Sequence, residues 1–75
     1  MSHPDFDPDY VFSHHDATPE KLAHYDAIHE GAKRFAAIIL QHTPASPDQM
    51  TALQLLRETS MIAFAAVSLN GRLTK

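Results

Sequence analysis

Seventy-five residues with a formal charge of −3 make one small domain at most. The acidic balance argues against general DNA or RNA binding, which wants a basic face, and leaves room for a small phosphorylated ligand held by a few donors. Cysteine is absent, so neither disulfides nor thiolate metal sites can staple the chain, which leaves a metal, a cofactor or self-association as the stabiliser.

Residues 1–17 read as an acidic lead-in arm. Pro4 and Pro8 break regular structure, and Asp5, Asp7, Asp9 and Asp16 add negative charge. Within it, Tyr10-Val11-Phe12 is an apolar island, either a short helix or an extended strip docking on another surface. The alternating Asp5, Asp7 and Asp9 open like a calcium loop. The match then fails, with Tyr10 where that loop needs glycine and Asp16 where it needs glutamate.

Next comes an explicit helix start. Thr18 can cap, Pro19 suits the first helical position, and Glu20 favours the positive end of the dipole. Amides there lack partners inside the helix, so the corner can face an anion. A helix is predicted from about Pro19 to Gln41 or His42, with Leu22, Tyr25, Ile28, Ala32, Phe35, Ala36 and Ile39 on its apolar face. Gly31 is its weak point, costing about 1 kcal/mol against alanine when exposed. A glycine there also permits close approach of a neighbouring helix.

Thr43-Pro44-Ala45 ends that helix, and Ser46-Pro47-Asp48-Gln49 starts another with a capping box. The second helix should run to Leu69. Met50, Leu53, Leu56, Met61, Phe64 and Val67 lie along one face, widened by Leu55, Ile62 and Ala66, and Asn70-Gly71 is the stop. The fold class expected is all-α: an antiparallel two-helix hairpin over 18–75 with a short N-terminal arm or helix. From Met61 to Val67 the second helix is apolar around more than half its circumference, which one partner helix cannot cover, so a homo-oligomer is expected.

No apolar run approaches the roughly 20 residues that cross a bilayer, and no basic segment precedes an apolar core at the N-terminus. The chain therefore reads as soluble and intracellular, with no membrane partner. Six histidines suggest metal, yet His24 and His29 are five apart and His14 and His15 are adjacent, spacings that do not suit a shared ion. There is no glycine-rich phosphate loop and no nucleophile with a patterned base, so neither an enzyme nor a cofactor is expected. What remains is the corner of Tyr10, Phe12, His14, His15, Thr18 and Lys21: a ring to stack on a base, a hydroxyl and amides for phosphate, and a nearby ammonium. The plainer reading of the same residues is a cap and an apolar staple.

The order Phe12-x-His14-His15, Pro19, Tyr25, Ile28, Ala32-Lys33, Phe35-Ala36, Pro44-x-Ser46, Ala52-Leu53, Met61 and Ala65-Ala66 resembles the phage anti-CBASS cyclic-nucleotide sponge family over roughly residues 10–68. The resemblance implies a non-enzymatic homohexamer that sequesters cyclic dinucleotides, and in some members cyclic trinucleotides, between subunits. It would act in the cytoplasm of an infected bacterium and keep an antiviral effector switched off. It assigns base stacking to Tyr10 and, less directly, to Phe12. The family's phosphate lysine falls on Thr18 in this register, with Lys21 one turn later, and an aromatic–x–asparagine pattern after Met61 is replaced by Ile62-Ala63-Phe64. The reading from a different class is a small helical protein that blocks a host protein without any small-molecule ligand.

Overall fold

The computed structural model describes residues 5–74. Pro4, expected as a breaker in the arm, lies outside them. Three helices form: α1 (Pro8–Val11), α2 (Pro19–His42) and α3 (Pro47–Ser68). Among the described residues there is no strand beyond an isolated bridge at Phe6, so the all-α expectation holds.

Each long helix starts where local chemistry starts it. Thr18 and Ser46 are extended caps whose hydroxyls accept from the amides of Lys21 and Gln49, each followed by proline at the first helical position. The capping box is only half made as expected. Gln49 is buried, and its side-chain amide donates to the Thr43 carbonyl at 3.2 Å and the Thr43 hydroxyl at 3.1 Å. It therefore cross-braces the connector. The end of α3 is a Schellman closure: Gly71 N–H donates to Ala66 O at 2.8 Å and Asn70 N–H to Val67 O at 3.2 Å. The left-handed position this needs is taken by Asn70, with φ of 57°.

Packing runs along one line of each helix. On α2 the half-buried residues are Lys21, Tyr25, Ile28, Ala32, Ala36 and Ile39; on α3 they are Ala52, Leu53, Leu56, Ser60, Ala63, Phe64, Val67 and Ser68, beside buried Gln49. The start of α2 lies against the end of α3. Tyr25 meets Phe64 edge-on at 5.7 Å, and the Tyr25 hydroxyl is 2.5 Å from the Ser68 hydroxyl.

Several residues expected on these faces lie outside them. Leu22 and Phe35 on α2, and Met50, Leu55, Met61, Ile62 and Ala66 on α3, are exposed. At 100° per residue, Leu22 and Phe35 sit about 60–80° to either side of the α2 contact line, beyond the reach of a single partner helix. The only buried apolar residue among those described is Leu69, covered where the arm folds back over the end of α3.

The apolar island resolves into a short helix. Asp7 caps it, accepting from Asp9 N–H, and Asp7 N–H donates to Leu73 O at 2.6 Å. The Tyr10 hydroxyl donates to Leu69 O at 2.6 Å. Phe12 stays 79% exposed, beside Phe6 at 6.0 Å.

Candidate functional site

The corner expected to face an anion is a groove between the start of α2 and the end of α3. Thr18, Glu20, Lys21 and His24 form one wall; Ala66, Val67 and Asn70 form the other, around about 480 Å³. Helix periodicity puts Thr18, Lys21 and His24 within two turns of each other.

Donor supply in the groove can be counted. Pro19 has no amide hydrogen, and the Lys21 amide is claimed by the Thr18 hydroxyl oxygen at 3.2 Å. In the first turn that leaves the Glu20 amide without an intrahelical partner. Because Thr18 accepts in its cap, its own hydroxyl proton is still available to donate. Lys21 Nζ spends one donor on Ser68 O at 3.1 Å, tying the α3 C-terminus to the α2 N-terminus, and retains two. His24 and Asn70 add an imidazole and a carboxamide. The Glu20 carboxylate on the same rim opposes an anion and limits the net positive character of the groove.

The remaining expected residues lie in two neighbouring depressions. Tyr10 and His15 line one of about 450 Å³ with Asp7, Asp9 and Ser13. Phe12, His14 and His15 line another of about 460 Å³ with Val11, Ser13, Ala65, Ser68 and Leu69. His15 Nε2 lies 2.6 Å from the Tyr10 carbonyl, so that nitrogen carries the proton, and its ring meets Tyr10 edge-on at 4.9 Å. The His14–Asp16 contact at 3.2 Å is almost fully exposed and holds little. Thus one groove collects Thr18 and Lys21, while Tyr10, Phe12 and the histidine pair sit beside it.

His24, Glu20 and Asn70 were missing from the expected site. His24 is discoverable from the sequence, since it lies three residues beyond Lys21 on the same helix face. Asn70 joins only through the helix pairing. His29 packs on Phe64 at 4.6 Å, away from His24. Among the described residues no three His, Asp or Glu side chains converge as a metal site. No helix there is long and apolar enough to cross a membrane.

Comparison with protein-family models, with curated proteins and with solved structures finds no match to this chain.

Proposed function

We propose that this chain is a non-enzymatic, oligomeric binding protein that sequesters cyclic di- or trinucleotides between its subunits, so that a bacterial CBASS effector is not switched on. In this reading it is a phage anti-defence sponge, an antiparallel helical hairpin assembled as a homohexamer in the cytoplasm of the infected host. Thr18 and Lys21 contact phosphate, Tyr10 stacks on a base, and Phe12, His14 and His15 shape the pocket.

The observation that carries the reading is the groove at Thr18, Lys21 and His24. It supplies a hydroxyl, an ammonium and an imidazole at an open helix start, within the roughly 300–1,000 Å³ typical of small-molecule sites. It is open to solvent on one chain, and the aromatic lies in a different depression. A ligand touching both kinds of residue is best served by two copies, each lending one. Symmetric assembly repeats the same few donors around a closed site, which reconciles phosphate binding with an acidic chain.

Calorimetry with a panel of cyclic di- and trinucleotides tests the proposal. Micromolar or tighter binding to at least one member is expected, and silence across the panel overturns it. The exposed apolar residues of α2 and α3 also support a ligand-free blocker of a host protein. Recovery of one stoichiometric host protein, with no nucleotide-dependent thermal shift, would favour that second reading.

A further inference from the structure

We propose that the Glu20 carboxylate reads the base of the bound nucleotide, so that the groove selects guanine over adenine. The inference rests on the cyclic-nucleotide reading above and names the ligand within that class.

The groove holds two opposite charges that a phosphate alone does not satisfy. Glu20 and Lys21, neighbours in sequence, both line its α2 wall, and Asn70 lines the other. Lys21 Nζ is fixed at 3.1 Å on Ser68 O and keeps two donors for an anion. An anion near Lys21 is repelled by Glu20, and a cation near Glu20 is repelled by Lys21.

The Glu20 carboxylate is uncommitted. Among the described residues nothing hydrogen-bonds or ion-pairs with it. His24, four residues on, lines the same wall without pairing to it. The dipole of α2 favours an acid on any side of the first turn, which explains a carboxylate there but not its place on the groove wall.

A carboxylate only accepts. The ligand that suits both side chains therefore brings neutral donors to Glu20 and an anion to Lys21. Among the common bases, guanine alone sets two donors side by side on its Watson–Crick edge, N1–H and the N2 amino group, and a carboxylate takes them as a pair of charge-assisted bonds. The adjoining O6 is an acceptor, which the Asn70 carboxamide or a remaining Lys21 proton can serve. An amino-acid zwitterion also answers both charges, but leaves most of the groove's roughly 480 Å³ empty.

Adenine puts the N1 lone pair where guanine carries N1–H. The same carboxylate then meets one donor and one acceptor, and a site built to bond a particular donor rejects the analogue that lacks it. Water competes for these bonds while the groove is open. The second copy that brings Tyr10 over the base also dries the edge that Glu20 reads, which strengthens the discrimination.

Calorimetry with cyclic di-GMP and cyclic di-AMP tests this on the wild type, Glu20→Gln and the control Glu58→Gln, midway along α3, with circular dichroism as the check on folding. The wild type should bind cyclic di-GMP at least tenfold more tightly than cyclic di-AMP, about the discrimination of one bidentate contact. Glutamine keeps the side-chain length but offers one acceptor and one donor, the pattern adenine matches, so Glu20→Gln should bring the two affinities within about threefold or invert them. The ratio is the readout, because losing the charge strengthens phosphate binding for both ligands. Glu58→Gln should keep the wild-type ratio. Equal wild-type affinities, an adenine preference, or a guanine preference that survives Glu20→Gln overturns the inference and leaves the sponge standing. Silence across the whole cyclic-nucleotide panel overturns both.

Discussion

The Tyr10 hydroxyl donates to the Leu69 carbonyl at 2.6 Å across 59 residues of sequence, so the residue expected to stack on a ligand is also the clasp between the two ends of the chain. The clasp is a second donor to the carbonyl of the residue that caps α3, which also accepts from Arg72 N–H at 3.2 Å. Both roles are compatible, since the hydroxyl serves the fold and a ring face serves the ligand. Tyr10→Phe separates them. Thermal unfolding should show a loss of about 0.5–1.5 kcal/mol, one neutral hydrogen bond, with cyclic-nucleotide affinity kept. Tyr10→Ala should lose both, while the assembly mass stays constant.

The connector between the long helices depends on Ser46 and Gln49. The Ser46 hydroxyl caps α3, and Gln49 carries Thr43 on its side-chain amide. Ser46→Ala should cost about 1 kcal/mol. Gln49→Leu keeps similar bulk and leaves the groups of exposed Thr43 to water, so it should cost only the hydrogen bonds lost, about 0.5–1.5 kcal/mol. Denaturant melts give both values, and neither variant should change ligand affinity, since both lie at the end of the helix pair away from the groove.

Thr18, Ser46 and the Asn70-Gly71 stop were legible because each is a local signal: a side chain meeting an amide two or three residues away, or a backbone angle few residues tolerate. The helix spans followed from them to within a residue. The packing line was harder to read. Leu22 and Phe35 flank the true line on α2 as Ile62 and Met61 do on α3, and an apolar stripe wider than one neighbour can cover does not announce which part is covered. That Thr18 and Lys21 share one groove is legible because they are one turn apart. The sequence offers Tyr10 as a stacking ring or as an apolar staple of the arm; its hydroxyl bond is not legible there, because the Leu69 carbonyl lies at the far end of the sequence. His24 needed only the helix period; Asn70 needed the fold.

Asn70 occupies a left-handed position at φ of 57° on the rim of the groove. Asparagine tolerates that region and glycine tolerates it better, whereas a residue with an ordinary Cβ is strained there by about 1–2 kcal/mol. Asn70→Gly should therefore hold or raise the melting temperature, and Asn70→Ala should lower it. If the carboxamide contacts ligand, both variants should weaken binding alike, by several-fold in calorimetry.

Thr18 permits the sharpest separation of fold from function. Its oxygen caps α2 by accepting from the Lys21 amide at 3.2 Å, and a carboxylate does that job at least as well as a hydroxyl. Thr18→Asp should thus leave stability within about 0.5 kcal/mol of the wild type, whereas Thr18→Ala should lose about 1 kcal/mol. For an anion in the groove the order reverses. Aspartate has no proton to give and sets a second carboxylate beside Glu20, so affinity for a cyclic dinucleotide should fall at least tenfold, about 1.4 kcal/mol. Alanine removes one neutral donor and should cost less. A Thr18→Asp protein that melts like the wild type and still binds with unchanged affinity would move the phosphate away from this helix start altogether.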